Sequence, residues 1–188
     1  THIALRENLG FEKIVHVTRS GFSMNRSSKN RLTEKELCLF PGETLFDKVG
    51  RAVCRAGCLP RKELFEAWEV ARRVRRRFRG GRIVDLACGH GLTAALLLLL
   101  DDSSPQALAV DRSLPASASL LHAVLVETWP RLENRIAYIE APLEGVVLQA
   151  SDQVVSVHAC GGLHDLVLYL ATAAGARLAV LPCCHNLG

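Results

Sequence analysis

An apolar strand that runs straight into a glycine turn fixes most of what this chain can become. The stretch is Val84-Asp85-Leu86-Ala87-Cys88-Gly89-His90-Gly91-Leu92. A helical run, Leu92 to Leu100, follows it. About 20 residues past the turn, Ala107-Leu108-Ala109-Val110-Asp111 reads as a second apolar strand ending in a lone carboxylate. Strand, glycine turn, helix, strand and acid, in that order, present backbone N–H groups and a ribose-binding acid to an adenosine-containing ligand. The turn is not a dinucleotide fingerprint. A third glycine two residues later is missing, and Ala94 and Ala95 lie nearby but out of register.

The same rhythm continues beyond the turn. Strands are expected at 83–87, 107–111, 135–139, 153–158 and 177–182, and helices at 92–100, 114–128 and 163–174. Strands alternating with helices predict an α/β fold, a mostly parallel sheet flanked by helices. Apolar residues make up 49% of the chain and aromatics only 5%, so Leu, Val and Ala must fill the core. Upstream, Thr44 to Cys58 has helical spacing, with Gly57 as its stop. Pro60 suits the first turn of a further helix whose apolar stripe is Leu64, Trp68, Ala71, Val74 and Phe78, stopped by Gly80-Gly81. Residues 18–35 read as a polar, basic loop, and Phe11 to Val17 as a possible strand. The expected division is an N-terminal helical and basic extension over 1–58, with a ligand-binding α/β domain over 59–188.

Composition excludes several classes. The longest apolar run is far too short to span a bilayer, and the first twenty residues carry charges throughout with no leader-like apolar segment. Seven scattered cysteines fit a reducing cytoplasm better than a disulfide scaffold. A net charge of +4 does not by itself imply a nucleic-acid partner.

Two further blocks carry chemistry. Val157-His158-Ala159-Cys160-Gly161-Gly162-Leu163-His164-Asp165 follows the fourth expected strand, and Leu181-Pro182-Cys183-Cys184-His185 follows the fifth. In open α/β sheets, ligands bind outside the carboxyl ends of the strands. His158, Cys160 and Asp165 therefore stand where an acceptor would lie, although each alone also reads as a core histidine, a small buried cysteine or a helix-capping acid. His185 could serve as a general base. No metal site is expected. Adjacent Cys183 and Cys184 on an extended segment point opposite ways, and zinc sites favour wider spacing.

The form Asp-x-x-x-Gly-x-Gly resembles the first motif of Rossmann-like, class I methyltransferases dependent on S-adenosylmethionine (SAM). The blocks HACGGLHD and PCCH resemble the H-x-C-G-x-x-x-D and P-C-C-H motifs of one methyltransferase family, over roughly residues 60–188. That family includes the eukaryotic tRNA acceptor-stem 2′-O-methyltransferases. The resemblance implies SAM as cofactor. It implies that Asp85, Ala87, Cys88, Gly89, Gly91, Asp111, Arg112 and Glu140 hold it, Asp85 at the amino group, Asp111 at the ribose and Glu140 at the adenine. It implies pocket roles for His158, Cys160, Asp165, Cys183, Cys184 and His185. Two departures concern the acceptor: the zinc modules of the tRNA enzymes are missing, and Asn186 replaces the second histidine after C-C-H. Sheets of this type usually have seven strands. Two are therefore expected from elsewhere, either past residue 188, as in a C-terminally truncated domain, or from the N-terminal segment covering the open edge.

Seven arginines lie between Arg72 and Arg82. Arginine suits bidentate phosphate contact, and Arg72, Arg73 and Arg76 are expected to meet RNA, with tRNA favoured. The alternative is a solvated helix face complementing the helix dipole. For the whole chain, the competing readings are a methyltransferase for protein or a small molecule, and a non-catalytic SAM- or RNA-binding module.

Overall fold

A computed structural model describes residues 29–181, together with the backbone of Ile3–Arg6 and Lys13–Val15. Pro182, Cys183, Cys184 and His185 lie outside the described residues.

One sheet organises the chain. Its strands are β1 (Ile3–Arg6), β2 (Lys13–Val15), β3 (Ile83–Leu86), β4 (Ala107–Asp111), β5 (Ile136–Glu140), β6 (Gln153–Ser156) and β7 (Arg177–Val180), in the spatial order β2-β1-β7-β6-β3-β4-β5. β3 to β7 are parallel. β1 runs antiparallel to β7, with Ala4 opposite Val180, and β2 antiparallel to β1. The two strands beyond the expected five thus come from the N-terminal segment, and the residues read as a strand at 11–17 contain β2. Short strands of mixed polarity acquire their identity from a distant partner, which is why Ile3–Arg6 carries no clear signal of its own.

The helices are α1 (Leu45–Ala56), α2 (Arg61–Arg77), α3 (Leu92–Leu100), α4 (Ala118–Thr128) and α5 (Gly162–Ala173). Thr44 caps α1 by accepting the Asp47 N–H at 3.1 Å, and Gly57 ends it in the left-handed conformation. α2 begins one residue after Pro60 and stops at Arg77, three residues before the glycine pair. α4 starts at Ala118, later than the 114 expected, because residues 113–117 form a turn closed by Ala118 N–H to Pro115 O.

Alternation along the strands splits the core in two. Ile83, Ala107, Ala109, Val155 and Ala179 face the layer built by α1 to α4. Val84, Leu86, Val110, Val154, Leu178 and Val180 face α5, through Val167 and Ala171. This is a three-layer α/β/α arrangement, and the period of two in each strand produces it. Leu32, Phe40, Val49 and Val53 belong to the same buried cluster as α2 and α3. α3 is buried from Leu92 to Leu99. It can be apolar all round because the sheet, α2 and the neighbouring loops cover it. Each fully buried leucine there contributes about 1.5–3 kcal/mol relative to an exposed one.

The chain order sets the site. It runs β3, β4, β5 to one edge and then returns to β6 on the other side of β3. The crevice outside the carboxyl ends of β3 and β6 is therefore the topological switch point, where open α/β sheets bind ligands.

Candidate functional site

The turn at that crevice is built from backbone conformations few residues adopt. Gly89 has φ +53° and Gly91 has φ +72°. At Gly91 a side chain is also excluded sterically, since a Cβ would lie 2.6 Å from the Tyr138 ring. At Gly89 a Cβ would meet nothing within 4 Å, so the backbone there faces open space. Ala87, at the end of β3, holds φ +57°. That conformation costs an alanine about 1–2 kcal/mol, and such strain gathers at functional positions.

Two carboxylates brace the turn. Asp85, the penultimate residue of β3, has only 1% of its surface exposed, and its Oδ2 accepts the Ala94 N–H at 3.2 Å, tying the strand to the first turn of α3. Burial pushes its carboxyl up to about 7; the Ala94 bond opposes this, and the nearby Asp111 charge adds to it. Asp111 ends β4. Its Oδ2 accepts the Gly89 N–H at 2.9 Å, and its Oδ1 accepts the Ser113 N–H at 3.4 Å. Cys88 is buried against both acids, and burial keeps its thiol protonated. The structure thus gathers Asp85, Ala87, Cys88, Gly89, Gly91 and Asp111 around one turn. Glu140 stands opposite Asp111 in the β4–β5 register, exposed, with Oε2 accepting the Leu114 N–H at 2.9 Å. Arg112, next to Asp111, is exposed.

The loop after β6 supplies the facing wall. His158 is half-buried, and burial, then the Lys62 charge, then His90 hold its imidazole below the usual range. Asp165 is exposed in the first turn of α5. Cys160 is exposed and disulfide-bonded, whereas Cys38, Cys54, Cys58 and Cys88 are free. The expectation of a wholly reduced set therefore fails at Cys160. Sequence spacing cannot reveal a pairing made by the fold, and this sulfur is no free nucleophile.

Sequence reasoning passed over two residues here. His90, between the glycines, sets its Nε2 2.9 Å from Ser117 Oγ at the start of α4. Its imidazole is lowered by burial and then by Arg31. The Tyr138 hydroxyl is buried without a hydrogen-bond partner, and its ring meets His122 edge-on at 5.3 Å. The position of His90 inside the glycine motif was a usable signal. Tyr138, in mid-strand, gave none.

The arginine run is not brought to this site. α2 runs down toward the start of β3, so its last turn lies at the opposite edge of the sheet from the glycine turn. Most of its arginines are engaged there. Arg72 and Arg73 pair with Glu69. Arg75, 4% exposed, donates to Leu97 O, Gln153 Oε1 and Ser104 Oγ. Arg79 bonds Asp101, and Arg82 grips Asp152. Arg76 and Arg77 are exposed. The i, i+4 geometry of a helix and the chain reversal after it, neither visible in a charge count, set these partners.

No protein-family model matches the chain, and no curated protein sequence matches it. Solved structures align with it at low identity. One, from Pyrococcus horikoshii and provisionally named an RNA methyltransferase, is 16% identical over 65% of this chain and 62% of its own, with a TM-score of 0.49. A SAM-dependent O-methyltransferase from Thermotoga maritima is 19% identical over 65% of this chain and 45% of its own, with a TM-score of 0.49. The SAM-dependent methyltransferase SibL is 21% identical over 80% of this chain and 46% of its own, with a TM-score of 0.45. The chain spans less than two thirds of the length of each. At these values the fold stands on the strand order itself. No helix among the described residues is long and apolar enough to cross a membrane.

Proposed function

We propose that this chain is a SAM-dependent methyltransferase whose acceptor is RNA, with a tRNA ribose 2′-OH favoured. One observation carries the reading: two strand-end acids converge on a glycine turn at the topological switch point, with Asp111 already bonded to the Gly89 N–H. The residues fit the cofactor. The backbone at Gly89 faces open space, and the Asp85 carboxyl, poised near 7, suits an ammonium partner. Asp85 would meet the amino group, Asp111 the ribose hydroxyls, and Glu140 the adenine edge, with Ala87, Cys88, Gly91 and Arg112 along the cradle. When bound, SAM supplies an electrophilic methyl group on a sulfonium.

The protein's own task is then alignment and proton handling. Holding donor and acceptor in line converts a bimolecular displacement into an effectively unimolecular one. A hydroxyl acceptor must also lose its proton. Burial, then the Lys62 charge, disfavours the charged form of His158, and the residue stands just past the carboxyl end of β6. It is our candidate base, with Asp165 positioned beyond it in α5. His185, the other candidate, and Cys183 and Cys184 at the acceptor side, are proposed from the motif alone.

Calorimetric titration with SAM tests the cofactor claim. Asp111→Ala should weaken binding substantially, and unchanged affinity would refute the site. A labelled-SAM transfer assay against total RNA and total protein tests the acceptor. Label appearing in protein alone would replace RNA with the protein reading, and SAM binding without transfer would leave a non-catalytic module.

A further inference from the structure

The residues that end α2 lie at the wrong edge of the sheet to touch an acceptor, but those that begin it do not. Lys62 stands in the first turn of α2, about 20 Å along the axis from Arg76. Because α2 descends toward the start of β3, its first turn rises to the same rim as the glycine turn and the loop after β6. A second segment is fastened to that rim. The Leu32 N–H donates to Leu59 O at 2.9 Å, the Arg61 N–H donates to Asn30 O at 3.0 Å, and Arg31 bridges Pro60 in antiparallel fashion. Leu32 points inward at 1% exposure, so its neighbour Arg31 points outward by the alternation of an extended strand.

Four side chains belong to that rim. Arg31 lies within electrostatic reach of His90, Lys62 within reach of His158, and the two histidines within reach of each other. His90 is held toward Ser117. Glu66 approaches Lys62 at 3.7 Å, and Glu63 also lies within electrostatic reach of it, so both acids facing this group sit beside Lys62. The sequence leading in is one-sided. Between Lys13 and Arg31 it carries Lys13, Arg19, Arg26, Lys29 and Arg31 and no aspartate or glutamate.

We infer that Arg31 and Lys62, on the rim that also carries His90 and His158, form the docking point for a phosphodiester of a polynucleotide acceptor, beside the methyl-transfer crevice. The inference rests on the RNA reading above and relocates its contact surface from the end of α2 to the beginning. Arg31 and Lys62 on this rim suit a continuous polyanion, and the acid-free run that precedes Arg31 in the sequence adds positive charge to the chain leading into it.

The experiment uses the full chain with single-stranded and duplex tRNA-derived RNA, filter-bound across a salt series, with SAM affinity measured in parallel. Arg31→Gln/Lys62→Gln should weaken RNA binding and flatten the salt slope by about 1.4 to 1.8, since each lost phosphate contact removes about 0.7 for single strands and 0.9 for duplex. SAM affinity should be unchanged. Arg76→Gln/Arg77→Gln should alter neither quantity. Equal RNA affinity and slope in wild type and the rim variant overturn the docking point while leaving the RNA reading intact. Wild-type protein that binds SAM but no RNA overturns both the docking point and the acceptor class. Competition of RNA binding by millimolar inorganic phosphate, with no slope change in the variant, assigns the rim to a small phosphate and also refutes the inference.

Discussion

Asp85→Asn separates what the fold wants at this position from what a cofactor wants. The carboxyl is almost wholly buried, and its value rises from 3.8 to about 7. Folding therefore takes up a proton. The associated stability is complete below about pH 4 and is lost as pH rises toward 7. Above 7 the loss is about 4 kcal/mol, from about three pKa units at 1.36 kcal/mol each. Asparagine keeps an oxygen to accept the Ala94 N–H but never ionises. Urea denaturation of both proteins at pH 5 and pH 8 should show the variant gaining about 3 kcal/mol on wild type between the two. The same variant should bind SAM more weakly. A stability difference that is flat between pH 5 and pH 8 would refute the claim that a buried ionised carboxylate is being maintained.

Other substitutions test the framework. Gly91→Ala forces an alanine to φ +72° against the Tyr138 ring and should cost at least about 2 kcal/mol in urea denaturation; a loss under 0.5 would refute the steric account. Ala87→Gly should gain about 1 kcal/mol by the same measurement, because glycine adopts positive φ freely. Tyr138→Phe removes a buried hydroxyl without a partner and should raise the thermal midpoint, by the equivalent of up to about 1 kcal/mol. Arg75→Met strands Gln153, Ser104, Asp101 and Leu97 O and should cost about 3 to 5 kcal/mol, whereas Arg76→Ala should stay within about 0.5.

The glycine turn was legible because its information is local. Gly89, Gly91 and the two strand-end acids lie within one strand–helix–strand unit, and each obeys a rule about its own backbone or its own strand. The five parallel strands were legible for a similar reason: buried strands read as short apolar runs, and α3 as a longer one. The arginines were not. Arg75 looks like its neighbours in the sequence, yet it is buried, and its partner Gln153 belongs to a strand far along the chain. Charge density says nothing about which charges are already paired. Lys62 was overlooked for the converse reason, and Arg31 reads only as one charge of a basic loop. Neither stands out locally, and only the ladder between residues 30–32 and 59–61 brings them to the crevice.

The pairing of β1 with β7 has a consequence for how the molecule is made. Ala4 finds its partner in Val180, so β1, made before β7, must wait for β7 before it can join the parallel strands. Until β1 docks, β7 presents an open edge, the surface on which chains join wrongly. Contacts so distant in sequence slow folding. β3, β4 and β5 pair with one another without β7, whereas β6 needs β7 on its far side. Closure of the sheet by β1 and β2 therefore depends on β7 being in place.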